Sequence, residues 1–281
     1  MSERKVERIP GSYHSSWGRH PLAAPGASGG SPAASKIQAG LAAGRRNLMA
    51  KLLSSPPYTV SAGEPLAAPA GSPRAIYHIR AGWACQFHDL ANGRRAIFDI
   101  FLPGDVIGVD TALHIRPLEA ALALTSVTAG VIREQDALIY LMASQHTALY
   151  LTWLLAQRQQ RADQLLISIS SLDARGRVAA MLLDIYTRLR RRKLLSGSTY
   201  NLPLTQVQIG SYLGLTVVHI NRVLRSLRED RIVQVEKHCV TILDLNRLRV
   251  LAQREPVGRA VSPIVERPSS EIVLSSGGAA D

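Results

Sequence analysis

The chain has 281 residues, 46% of them hydrophobic, and a formal net charge of +12 at pH 7. It is long enough to bury a core and favours two domains; two cysteines exclude a disulfide framework or a cysteine-rich metal site. No apolar run is long enough to span a bilayer, and the charge favours a polyanionic partner, nucleic acid or an anionic membrane surface.

Residues 1–35 are rich in Gly, Ser, Pro and Ala with scattered Arg and His, the composition of a disordered tail. Basic residues at the start have no apolar stretch behind them, so the expectation is no secretory signal and a cytoplasmic protein. Lys36 to Leu53 has helical composition, with Leu41, Leu48, Leu52 and Leu53 on one side, and Pro56-Pro57 ends it.

From Tyr58 to about Glu134 short strands alternate with turns. Ala75-Ile-Tyr-His-Ile and the run from Gly82 to His88 are strands, and Asn92-Gly93 marks the hairpin turn to Arg94–Phe101. Pro103-Gly104-Asp105 is a further turn before Val106-Ile-Gly-Val. Leu122–Val127 and Ala129–Arg133 continue the series, which predicts an antiparallel sandwich or roll.

Residues 135–170 read as one long helix without a Pro or Gly break. Ala148, Leu155, Gln159, Ala162, Leu166 and Ile169 recur in steps of seven, four and three, close to a heptad seam for a second copy of the chain. Asp173 to Arg192 is the next helix, with Val178, Met181, Leu182, Ile185 and Leu189 inside. Its end carries Arg188, Arg190, Arg191, Arg192 and Lys193, a solvated run placed to meet phosphates.

The most informative stretch is Leu204 to Asp230. Val207, Ile209 and Leu213 form the apolar side of a short helix, and Gly210 is small where another backbone could approach. Gly214 breaks that helix, Leu215 turns inward, and Thr216 can cap the next helix. There Ile220, Val223, Leu224 and Leu227 make one buried face at i, i+3, i+4 and i+7. Val218, Arg222 and Arg225 lie opposite, flanked by His219 and Asn221. This is a helix-turn-helix pattern, with an ordinary basic helix pair as the plainer reading. Arg231–Glu236, a turn at Lys237-His238 and Cys239–Leu243 add a hairpin, the position of a wing.

These residues resemble the carboxy-terminal domain of the Crp/Fnr family of bacterial transcription regulators. The resemblance rests on LTQVQIGSYLGLT, VVHINRVLRSLRED and the hairpin ending in TILD. It extends upstream through SLDARGRVAAMLLDIYTRL to FLPGDVIG, and covers about Leu48 to Leu251. It implies an α+β chain: an antiparallel, jelly-roll-like β-roll sensor domain with a leading helix (36–134), a dimerisation helix (135–171) and a winged helix-turn-helix domain (172–252). Residues 253–281 would be a second disordered tail.

The implied function is sequence-specific, non-enzymatic transcription regulation by a homodimer on double-stranded DNA, with RNA polymerase as a further partner. Two recognition helices would enter successive major grooves roughly 34 Å apart, so the operator is expected to be an inverted repeat. Arg222 can offer its planar fork to guanine O6 and N7, the contact the resemblance assigns it. Family members carry Glu where this chain has Val218, and Gly or Ser where it has Asn221. Val can pack on a thymine methyl and Asn can pair with adenine, which predicts a shifted half-site. His219 and Arg225 are expected at phosphates or flanks. Thr205 and Gln206, at the first helix's start, and Thr216, at the second's, are candidates for positioning on the backbone.

The sensor site is less legible. Relatives that bind cyclic AMP follow the PGD turn with Gly-Glu and later Arg plus a hydroxyl residue. This chain has Gly108-Val109-Asp110, and Arg116 is followed by Pro117 and Leu118, so its phosphate cassette is degenerate. Gly108, Asp110 and Arg116 are the candidate effector pocket, for an unidentified small molecule. Four cysteines for an iron–sulfur cluster are lacking. His78, Cys85, His88 and His114 are ligand types without a convincing spacing, so neither cofactor nor metal is expected, and nothing marks Cys85 as a redox switch. The alternatives are a DNA-binding protein without an effector and a cyclic-nucleotide-responsive regulator. An enzyme on the roll would need a His-x-His pair that the roll lacks, and a membrane-surface role is disfavoured because the basic residues concentrate by motif rather than along an amphipathic amino-terminal helix.

Overall fold

The computed structural model describes residues 32–66, 74–112 and 121–253. Residues 1–31 and 254–281 of the two expected tails, together with His114, Arg116, Pro117 and Leu118, lie outside the described residues. Helix α1 (Pro32–Ser54) begins on a proline, whose missing N–H costs nothing at a first helical position. Its start takes in residues 32–35, which composition had assigned to the tail. Leu41, Leu48 and Leu52 are buried, but Leu53 is 55% exposed, because one helical step carries it about 100° off their stripe.

The roll follows: β1 (Tyr58–Val60), β2 (Ala75–Ala81), β3 (Ala84–Asp89), β4 (Arg95–Phe101), β5 (Val106–Ile107), α2 (Val109–Ala112), β6 (Ala121–Ala123) and β7 (Val127–Arg133). These strands form two antiparallel sheets, in the orders β1-β7-β2-β5 and β4-β3-β6. Tyr77, Ile79, Ala84, Phe101 and Val127 pack in one core between them. Gly93 takes the left-handed backbone (φ 76°) that the expected hairpin turn requires. Val109, which read as strand, instead opens α2.

The single helix expected over residues 135–170 is two, α3 (Glu134–Ala143) and α4 (Gln145–Ser171). Between them Ser144 is extended (φ −147°, ψ 110°), and its hydroxyl accepts the Thr147 N–H as an N-cap. A serine can therefore divide the helices without glycine or proline. Helix α1 lies along α4, so closely that a Cβ at Gly44 would strike the His146 carbonyl.

The last part comprises α5 (Ala174–Arg191), β8 (Thr199–Asn201), α6 (Gln206–Leu213), α7 (Val217–Glu229), β9 (Val233–Glu236), β10 (Cys239–Ile242) and α8 (Leu245–Leu251). The wing has three strands, β8-β10-β9, because β8 pairs with the far edge of the expected hairpin. Strand β8 and helix α8 have no clear sequence signal.

The roll and the carboxy-terminal part do not have separate cores. Trp83, Phe87, Ile97, Ile100 and Leu102 of the β4-β3-β6 side pack in one cluster with Met181, Ile185, Leu213 and Ile220. The basic run at the end of α5 also departs from expectation. Arg190, Arg191 and Lys193 are exposed, but Arg188 and Arg192 turn into the roll. Arg188 Nη2 lies 2.5 Å from Asp105 Oδ2 and Arg192 Nη2 lies 2.5 Å from Asp105 Oδ1. The same guanidiniums donate to the carbonyls of Ile100 (2.8 Å) and Pro103 (2.7 Å). Burial opposes ionisation of Asp105, but Arg192 and Arg188 outweigh it and hold its carboxyl well below the usual carboxylate range. Two arginines of the run are thus committed to a buried carboxylate rather than to solvent.

Candidate nucleic-acid interface

Helix α6 starts with a full capping box. The Thr205 hydroxyl accepts the Gln208 N–H at 3.2 Å, and Gln208 Oε1 accepts the Thr205 N–H at 2.8 Å. It ends at Gly214, in the left-handed conformation (φ 66°) that suits glycine at such a cap. The turn then folds back so tightly that a Cβ on Gly210 would lie 2.5 Å from the Leu215 carbonyl oxygen. Thr216 caps α7, accepting the His219 N–H at 3.3 Å. Thr205 and Thr216 thus spend their hydroxyls on the two helix starts.

Helix α7 is strongly two-sided. Ile220, Val223 and Leu227 are buried and Leu224 is half-buried, while Val218, His219, Asn221, Arg222 and Arg225 are all exposed. Val218 is 66% exposed, and Val207, read as part of the inner side of α6, is equally exposed beside Gln206. Two apolar side chains thus stand open among polar neighbours. Arg225 is held by Glu229 at 2.8 Å, and His219 Nδ1 lies 3.1 Å from the Thr216 hydroxyl. Among the described residues the Arg222 side chain has no hydrogen bond or ion pair, so its fork is available. At the wing tip both Lys237 (φ 45°) and His238 (φ 68°) take positive φ, the geometry of a two-residue hairpin turn usually given to Asn-Gly.

The sensor candidates fall differently. Gly108 (φ 83°) passes so close to the Ala75 carbonyl that a side chain would collide with it, a structural reason for glycine. Asp110 is buried, and its carboxylate is taken by Arg158 of α4 at 2.9 Å. Arg158 also donates to Asp99 at 3.1 Å and to the Gln86 side-chain oxygen, while Arg161 approaches Asp99 at 3.7 Å. Burial pushes the Asp99 carboxyl up, against the pull of Arg161 and Arg158. Sequence reasoning missed Gln86, Asp99, Arg158 and Arg161. A usable signal was Asp99 itself, one acid inside the apolar strand Ala-Ile-Phe-Asp-Ile-Phe, since a buried charge calls for a partner.

Cys85 is buried, and burial pushes its thiol up to about 11, far from a reactive thiolate. Among the described residues no three His, Cys, Asp or Glu side chains gather as a metal site, and no helix is long and apolar enough to cross a membrane.

Known proteins share both halves of this architecture. The family model of the Crp-like helix-turn-helix domain matches residues 176–251, and that of the cyclic nucleotide-binding domain matches residues 58–144. The transcriptional regulatory protein btr of Bordetella pertussis is 25% identical over 183 residues, covering 64% of this chain and 74% of btr. The transcriptional activator protein Anr of Pseudomonas protegens is 29% identical over 183 residues, covering 63% of this chain and 72% of Anr. The solved structure of FixK2 from Bradyrhizobium japonicum shares the fold, with a TM-score of 0.62 and 23% identity over 70% of this chain and 96% of its own. A β-roll joined by a long helix to a winged helix-turn-helix, both matched in this order, places the chain in the Crp/Fnr family of DNA-binding transcription regulators.

Proposed function

We propose that the chain works as a cytoplasmic homodimer that reads an inverted-repeat operator through α7 of each protomer, regulates RNA polymerase there, and is governed by a signal at its roll. The exposed front of α7 carries this reading, above all the unengaged Arg222 between Val218 and Arg225. Residues 205, 206, 216, 218, 219, 221, 222 and 225 form the DNA face. Arg222 reads guanine, Val218 and Asn221 read neighbouring bases, and the rest position the backbone.

Dimerisation draws on the outer side of α4. Leu166 is 65% exposed, Gln159 and Ala162 lie open along the same stripe, and Ile167, one helical step to its side, is 61% exposed. An uncovered stripe at near-heptad spacing is what a second α4 would cover. The test is selection of sites from random duplex DNA by purified protein without added ligand, with sedimentation to give the oligomeric state. A dimer enriching a palindrome with guanine in each half-site supports the proposal. A monomer refutes the dimer, and binding to all sequences alike with steep salt dependence, unchanged when cyclic AMP is added, refutes sequence-specific reading by α7.

A further inference from the structure

A charge cluster lies behind the DNA face and touches none of it. The roll presents Asp99, Asp105 and Asp110; the two long helices present Arg158, Arg161, Arg188 and Arg192. Asp184 of α5 completes the set, 3.5 Å from Arg188. Formally, four guanidiniums meet four carboxylates, so the set carries no excess positive charge toward an added phosphate. Arg158 holds Asp110, a member of the candidate effector pocket, so a side chain of the protein already sits where a ligand was sought.

We propose that Asp105, Arg188 and Arg192 are positioning residues for DNA recognition, and that, with Arg158 of α4 paired to the roll, they hold the helix-turn-helix in one orientation without a small molecule. Three further observations converge on this. The Asp105 carboxylate is fully engaged: each oxygen takes one guanidinium, and Oδ2 also accepts the Leu102 N–H at 2.7 Å. A carboxylate satisfied on both oxygens has one geometry, so it fixes the end of α5 to the Pro103-Gly104-Asp105 turn. Beside it, α6 closes the open edge of the β4-β3-β6 sheet. The Ser211 hydroxyl accepts the Ile97 N–H at 3.0 Å and donates to the Arg95 carbonyl. The grip also leaves the reading surface free, since Thr205, Gln206, Val218, Asn221 and Arg222 are exposed while Ser211 and Tyr212 face the roll side. A signal at the roll would then act by breaking this cluster, changing the orientation of α7 without touching it. This rests on the DNA-reading role proposed above for α7.

The experiment uses the full chain, dialysed free of small molecules, with Arg192→Met, Arg192→Lys and the control Arg46→Met. Arg46 is exposed on α1, outside both the cluster and the DNA face, so its loss removes the same charge without the grip. Amide exchange at residues 95–101 and 206–213 is read first, without DNA, followed by affinity for the selected palindrome. Arg192→Met is expected to speed exchange in both segments and to weaken specific binding by about 5–150-fold, the usual range of coupling between sites. Arg46→Met should stay within about twofold of wild type, as surface changes do. Arg192→Lys, which keeps a cation but not the fork, should fall between them. Arg192→Met behaving like Arg46→Met in exchange or affinity overturns the proposal, as does a more than tenfold gain in wild-type affinity on adding cyclic AMP. The exchange arm decides the grip even where site selection returns no palindrome, so failure of the operator reading stays distinguishable.

Discussion

Replacing Arg222 with alanine separates the reading of a base from the holding of a fold. The side chain is exposed on the front of α7, and among the described residues it makes no hydrogen bond or ion pair. Its removal should therefore leave stability within about 0.5 kcal/mol, with no change in Tm. A bidentate arginine–guanine contact contributes about 1–3 kcal/mol of discrimination. With tenfold for every 1.4 kcal/mol, that is roughly 5- to 150-fold per half-site. Two equivalent half-sites would double the free energy, to about 2–6 kcal/mol. Fluorescence anisotropy measures Kd for wild type and variant on the selected palindrome and on a duplex with the guanine of each half changed to adenine. If Arg222 reads that guanine, the two losses are non-additive, because one contact is removed from either side. Additive losses refute the assignment. So does uniform weakening on all duplexes with the salt slope smaller by about 1, the mark of a phosphate contact.

Three other outcomes follow from the geometry. Leu166→Asp places a charge on the exposed stripe of α4 and should shift the dimer toward monomer in sedimentation, with little loss of folded monomer; an unchanged dimer would move the interface elsewhere. Cys239 is exposed and Cys85 buried with its thiol raised to about 11, so alkylation of native protein at pH 8 should modify Cys239 and spare Cys85 until denaturant is added. Equal labelling of both would contradict this packing. Burial, with Arg80 and Arg192 nearby, pulls the His78 imidazole down to about 4. The unfolded chain then binds a proton near pH 6.5 that the folded chain refuses, so this contribution is present above about 6.5 and lost as pH falls toward 4. A shift of that size corresponds to about 3 kcal/mol at most. His78→Asn should flatten the fall of the urea midpoint between pH 7 and 5, and an unaltered slope would assign that fall to other groups.

Much of the site was legible because its determinants are local. A glycine between two short helices, a Thr to cap the second and a 3.6-residue apolar repeat identify the helix-turn-helix within 27 residues of chain. Periodicity also separated the outer face of α7 from its inner face, since every residue there obeys one helical repeat. Local rules failed where one residue overrides a pattern. Ser144 divides the long helix by capping its second half, a role serine composition does not announce. Val207, read as inner, lies exposed because two helical steps, about 200°, separate it from Ile209 and carry it off the stripe that Ile209 and Leu213 make.

The sequence by itself thus determined most of the elements, the two faces of α7 and the family resemblance, through spacing, caps and turn residues acting over a few positions. Only the tertiary structure decided which charges are free. Arg188, Arg190, Arg191 and Arg192 are one basic run in the chain, but helical geometry spreads them around the end of α5. Two reach Asp105, 83 and 87 residues away, and two stay in solvent. Asp110 reads as a ligand residue until α4 delivers Arg158 from 48 residues away. The partner of a buried charge is set by the packing of distant elements, because desolvation must be offset by whatever group the fold brings within hydrogen-bonding distance.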